Sequence, residues 1–307
     1  MKCKLLFFVA SVILVGVPVS NAQTDSKKIK AQQKAVAPAT PLEQSKPEPP
    51  LPQPFEPVFW KDDISPTEYL RNEPPKIFEW IQAQIAMVPG KTDQFSTREE
   101  LRQYEIALNE KMKAIGQIAF IWNCGKRYNV DSQSFEITVP ALAIKDTMLK
   151  EPNPEALKLR KMLIARFDIK KDTYTAQNAY GASTEVIRTV SDNYVIAYPS
   201  GPVFEPSSII KSGFGASSYQ HTFIYYSTLL PMLPTDAREK DKNISCLAVV
   251  SFAPPYIFRF KERSAPTRDM PFDSTRNGFA FYGKLDHLWI VNKATGEIYS
   301  KHSRGGL

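Results

Sequence analysis

Histidine is scarce in this chain. His221, His287 and His302 are the only three in 307 residues, and no two stand close together. No pair of ligands can therefore share one helix face at the spacing of a helical zinc site. The three cysteines, Cys3, Cys124 and Cys246, form no CxxC pair and have no neighbouring histidine. The local signatures of a zinc site and of an activated thiol are thus missing. There is no GxSxG elbow, no Walker loop and no dinucleotide fingerprint. No pattern asks for a metal or a cofactor, and no catalytic residue is assigned.

Two short patterns come near to a motif and fall short. "GFGAS" from Gly213 opens like a glycine-rich phosphate loop, but lacks a third glycine, a lysine and a following helix. Ser208 to Lys211 has SxxK spacing, a chemistry that needs the serine at a helix start and the lysine one turn on. Pro202 and Pro206 before it, and Gly213 and Gly215 after it, leave no room for that helix. The SDN triplet at Ser191 to Asn193 precedes the SxxK, which is the reverse of the required order.

A second long apolar run is also absent. The only one, Leu5 to Val19, follows Lys2 and Lys4 and precedes the small residues Ser20-Asn21-Ala22. It falls short of the roughly 17–25 residues that span a bilayer, and Pro18 interrupts its end. The reading is a signal peptide over residues 1–22, cut before Gln23. The mature chain is then periplasmic or secreted, with no membrane span. Removal of Cys3 leaves Cys124 and Cys246, and an oxidising compartment favours their pairing. Such a bond closes a loop of more than a hundred residues, worth roughly 4–5 kcal/mol by loop-closure entropy.

What is present begins with a leader over residues 23–58. Lys27, Lys28, Lys30 and Lys34 make its first part basic. Pro38, Pro41, Pro47, Pro49, Pro50, Pro52, Pro54 and Pro57 fill the rest. Proline fixes φ and removes backbone donors, so this stretch predicts a disordered or extended tether of about 60 Å rather than helix or sheet.

Residues 59–307 predict a single globular α+β domain, helical over 64–117 and mainly β over 118–307. Ser65 with Pro66 and Glu68 reads as a helix start with a capping box. A second helix is expected from Pro75, with Ile77, Phe78, Ile81, Ile85 and Val88 as its apolar stripe. A third is expected from Ser96, capped reciprocally with Glu99, with Leu101, Tyr104, Leu108, Met112 and Ile115 as its stripe. From Ile118 the period falls towards two, in "SFEITV", "LIARFDIK", "TEVIRTV", "TFIYYST", "CLAVVSF", "YIFRFKER", "GFAFYG" and "LWIVN". Only Pro152 to Lys161 reads as a later helix. The expectation is N-terminal helices packed on a mainly antiparallel sheet or sandwich.

Two surfaces stand out. Tyr174, Gln177, Asn178 and Tyr180 crowd a glycine-containing bend at Gly181 and offer stacking faces and amides, suited to a neutral ligand such as a sugar or peptide. In "YIFRFKER", strand alternation sets Tyr256, Phe258 and Phe260 on one face and Arg259, Lys261 and Arg263 on the other, with Arg268, Arg276 and Lys284 nearby. That basic row suits an envelope polyanion or guards a sheet edge. The net charge of +7 is a poor argument for nucleic acid in an exported chain. The sequence therefore points to an exported, non-catalytic binding or assembly module on a Pro-rich tether, with an envelope polyanion or envelope protein as partner. The alternative is a hydrolase or transferase acting on an envelope polymer, its site assembled from distant residues. Glu136, Asp168, Glu185 and Asp192 are the carboxylates available to it.

Overall fold

Proline and asparagine shape the entry to the fold. The computed structural model describes residues 55–90, 95–144, 159–177, 180–199, 207–210, 223–267 and 269–303. The expected signal peptide and most of the leader lie outside them. The helix opened by Ser65 is a short 3-10 helix, Pro66–Arg71, without the expected capping box. Ser65 accepts from the Thr67 N–H on its hydroxyl instead, and from the Glu68 N–H on its carbonyl. Pro74 and Pro75 prevent continuation from this turn, because neither can donate to a carbonyl behind it. Asn72 ties the entry down, its amide donating to the carbonyls of Val58 and Ala119 at 2.8 and 2.9 Å.

Helix α1 (Pro74–Ala86) begins with proline at its first position and buries Ile77, Phe78 and Ile81. Helix α2 (Arg98–Ile115) is capped one residue later than the sequence predicts. Thr97 and Glu100 form the reciprocal box, while Glu99 accepts from Gln103 at 2.6 Å. Only Met112 of its predicted stripe is buried, and Leu101 is exposed.

The rest is mainly β. The strands are β1 (Gln117–Trp122), β2 (Gly125–Asn129), β3 (Ser134–Ala143), β4 (Leu159–Gln177) and β5 (Ser183–Pro199). There follow β6 (Ser207–Ile210), β7 (Phe223–Pro231), helix α3 (Pro234–Lys240), β8 (Ile244–Ser264), β9 (Phe272–Asn292) and β10 (Ile298–Ser303). All ten strands join one sheet, ordered β1-β8-β9-β5-β4-β3-β7-β6, with β10 also on β9 and β2 also on β3. The sheet is mixed: β5 and β9 run parallel, and the other pairs are antiparallel. Broadly the fold is α+β. No helix among the described residues is long and apolar enough to cross a membrane.

Several runs that look separate in sequence are single long strands. "CLAVVSF" and "YIFRFKER" both lie in β8, and "GFAFYG" and "LWIVN" both lie in β9. The proline pair Pro254-Pro255 bulges β8 instead of ending it, since the register resumes at Ile257. Gly283 makes this possible on β9, for a Cβ there would lie 2.1 Å from the Ser251 carbonyl oxygen. The helix expected over Pro152 to Lys161 is overturned at its end: Leu159, Arg160 and Lys161 belong to β4, and the remainder lies outside the described residues. β-pairing with Pro199, Tyr198 and Ala197 overrides the helical propensity there.

The main buried cluster draws Ile77, Phe78, Ile81 and Met112 together with strand residues such as Phe120, Ile137, Ile196 and Phe281. Alternation in β3 holds as read, with Phe135, Ile137 and Val139 all buried. In β4 the expected face is not the buried one: Met162 and Ile164 are buried while Leu163, Phe167 and Ile169 are exposed, and the register on β5 shifts twice. Cys124 and Cys246 stand at disulfide distance, with Cα atoms 5.4 Å apart. At the β9–β10 turn, Asn292 accepts from the Ala294 and Thr295 N–H groups, and Gly296 adopts φ +77°.

Candidate functional site

The bend that stands out in sequence is the tip of the β4–β5 hairpin, which runs from Leu159 paired with Pro199 to Gln177 paired with Ser183. β9 flanks β5 only from Ile187 onward. Tyr174 turns towards Asp273, its hydroxyl donating at 3.3 Å, with Arg188 over its ring at 5.4 Å. Burial, and then the Asp273 charge, push the Tyr174 phenol pKa up. Arg188 forks onto Asp172 at 2.9 and 2.5 Å, and with Lys170 it holds that carboxyl well below the ordinary range. Gln177 closes the tip by donating to the Gly181 carbonyl at 3.1 Å, and Tyr180 is 95% exposed. Asn178 lies outside the described residues.

The basic strand is the second half of β8. Register on β9 sets Arg259, Lys261 and Arg263 opposite Phe279, Asn277 and Thr275, on one face. Arg259 is held over the rings of Phe279 and Phe78 at 5.3 and 5.8 Å. Arg263 reaches Asp273 at 3.7 Å. Lys261 is exposed and has no ion pair among the described residues. On the opposite face Phe260 lies against Gly278, where a Cβ would come within 2.2 Å of its ring. Tyr256 does not share that face, contrary to simple alternation. At φ +66° it swings into the main core, and its hydroxyl meets Asn109. Arg268 lies outside the described residues.

A buried charge cluster sits beside Phe260. Lys161, 7% exposed, contacts Glu262, and Arg276 approaches the same carboxylate at 3.7 Å. Burial first, and then Arg276, bring the Lys161 pKa down to about 8.

Among the described residues a concavity lies elsewhere, where α3 and the end of β7 face the start of β10. It is a cleft of about 530 Å³, lined by Ser132, Gln133, Leu230 to Leu233, Asp236, Lys240, Glu297 and Tyr299. Its size falls within the ordinary range for a ligand site. Gln133 adopts φ +45° at the β2–β3 turn, and its carbonyl accepts from the Met232 N–H at 2.9 Å. Across the cleft Lys240 lies 3.5 Å from Glu297 and 5.8 Å above the Tyr299 ring. Tyr299 and Glu297 push the Lys240 pKa up, so the ammonium stays charged. Burial raises the Tyr299 phenol, which stays neutral while accepting from Asn292 at 3.0 Å. Neither group is a free base or nucleophile near neutral pH.

This cleft has no signature in the sequence, and α3, which lines it, is a later helix, whereas the sequence reads only Pro152 to Lys161 as one. Pro234 and Asp236 at the start of α3 are ordinary helix-start signals, but Glu297 and Tyr299 arrive from far along the chain and no spacing announces them. Of the histidines, His287 bonds Ser303 and packs against Trp60 and Trp289, and His302 bonds Ser300. His221 lies outside the described residues. Ser208 lies in β6, so no helix carries the SxxK pattern at that serine. Asp168 pairs with Arg166, and Asp192 accepts from Asn277 at 2.9 Å. No group of metal-ligating side chains occurs among the described residues. No protein-family model, curated protein or solved structure matches the chain.

Proposed function

We propose that the chain is an exported, non-catalytic binding or assembly module of the cell envelope, displayed on its Pro-rich leader. The observation that carries this reading is the state of Lys240 and Tyr299 in the cleft. Lys240 is kept charged between Glu297 and Tyr299, and Tyr299 is kept neutral by burial. Such groups can orient a bound molecule, but they are poorly suited to take its proton or attack it. Apolar walls at Leu230, Met232 and Leu233 supply area without chemistry. In this reading α1 and α2 brace the sheet through the shared core, and the leader sets the distance from the surface it serves. Lys261, Tyr180 and the rest of the predicted tip and basic row are secondary contacts for an envelope polyanion or protein.

The test is a photo-crosslinking residue at Leu233, on the cleft rim and 59% exposed, in cells producing the chain with its own N-terminus. The expected result is a discrete adduct in the exported fraction, on a mature chain whose N-terminal residue is Gln23. Recovery of the protein only from the cytosol would overturn export. Turnover of an envelope polymer by the purified chain would overturn the non-catalytic reading.

A further inference from the structure

We propose that the cleft takes an extended peptide segment of a partner protein, which adds to the unpaired edge of β10 and sets a lysine or arginine beside Asp236 and Glu297. This rests on the module reading and names its ligand.

Three features of the structure argue for it together. β10 pairs with β9 on one side only. No described strand pairs with its other edge over Ile298–Lys301, before the His302 ring meets Tyr226 of β7 at 4.9 Å, nor with the outer edge of β7 over Ser227–Pro231. An unpaired edge presents a row of N–H and C=O groups that an added strand can satisfy. Beside these edges the cleft walls are apolar at Leu230, Met232 and Leu233, which suits the alternate side chains of an extended chain.

The charge is the third feature. Of the ionisable side chains lining the cleft, Asp236 and Glu297 are acidic and Lys240 is the one lysine or arginine. Lys240 lies 3.5 Å from Glu297 and also feels the charge of Asp236, whose carboxylate accepts from Thr235 at 3.5 Å, so one cation serves two carboxylates. One negative charge is left over, so a cationic side chain is the complementary occupant. A sugar would find no strand edge to use, and an anionic polymer would meet the wrong sign of charge.

The experiment uses the mature full chain and a phage-displayed library of random linear peptides. The best selected sequence is then synthesised with a fluorophore and read by anisotropy. Selected peptides are expected to alternate apolar residues around one lysine or arginine. N-methylation of alternate backbone amides should abolish binding, because it removes the ladder donors. Asp236→Asn combined with Glu297→Gln should weaken the peptide by about tenfold, as expected for loss of a charge-assisted contact. The same peptide with norleucine for lysine should bind both proteins alike. Unchanged thermal unfolding of the double variant shows that it is folded. Failure to select any peptide, or affinity indifferent to N-methylation or to the charge variants, overturns the inference. A chain that crosslinks to an envelope component yet binds no peptide fails here, while the module reading stands. A chain that turns over an envelope polymer fails there first.

Discussion

Lys161 shows what one residue can carry in a β-rich core. Its position in "LRKML" gives no hint of burial, yet the fold sets it over Phe260 at 4.8 Å and against Glu262, both from β8. Its pKa falls from 10.5 to about 8, so between these values the unfolded chain holds the extra proton. Stability then rises with pH across that window and is lost as pH falls through 8. The prediction is a comparison of the parent with Lys161→Met by urea unfolding. The parent should gain on the variant by roughly 3 kcal/mol between pH 8 and 10.5, since each pKa unit is worth about 1.4 kcal/mol. A constant difference across that range would show that folding leaves the lysine's affinity for its proton unchanged. Tyr174, by contrast, was legible as an unusual residue but not as a partner of Asp273, because that partner comes from β9, about a hundred residues away.

Among the elements, periodicity was a good guide to kind and a poor one to extent. α1 appears where its stripe of Ile77, Phe78 and Ile81 puts it. α2 starts one residue late because two adjacent Ser/Thr-to-Glu pairs compete for the same box, and Thr97 with Glu100 wins. β8 and β9 each look like two strands in sequence, because prolines and glycines normally punctuate, whereas here a bulge absorbs them. The basic half of β8 yields a prediction at this scale. No described strand pairs with the outer edge of Ile257–Ser264, as β1 covers only Cys246 to Ser251. Pairing of this edge with its own copy, centred on Lys261, sets Arg259 against Arg263 and Lys261 against itself. Like charges directly opposite are destabilising. Lys261→Thr with Arg263→Thr should therefore self-associate in a concentration-dependent way, visible by sedimentation, while the parent does not. A variant as monodisperse as the parent at every concentration would remove the edge-guarding role. Retention of the parent on an anionic matrix, lost in the variant, would speak instead for the polyanion role.

For the whole molecule, the disulfide pair joins the β1–β2 junction to the first strand of the β8–β9 hairpin. The two cysteines are 122 positions apart in sequence, so their link restrains the unfolded chain over that span. Cys124→Ala with Cys246→Ala should lower the unfolding free energy by roughly 4–5 kcal/mol, read from urea midpoints under oxidising conditions. Equal midpoints for the parent and the double variant would mean that the pair contributes only packing.

Local physics on the sequence alone determined where α1 begins, the reciprocal Ser/Thr-to-Glu cap that opens α2 to within one residue, and the predominance of strands after Ile118. Each of these follows from propensity, periodicity or a missing N–H within a few residues. Tertiary structure alone decided that β5 and β9 run parallel, that Tyr256 leaves its alternation, and that Lys161 is buried. It also decided that Asp236 on α3 and Glu297 at the start of β10 line one cleft. The reason is common to all four: each depends on which distant elements become neighbours. A sheet chooses its neighbours by the burial of whole faces, and no window of sequence displays that choice.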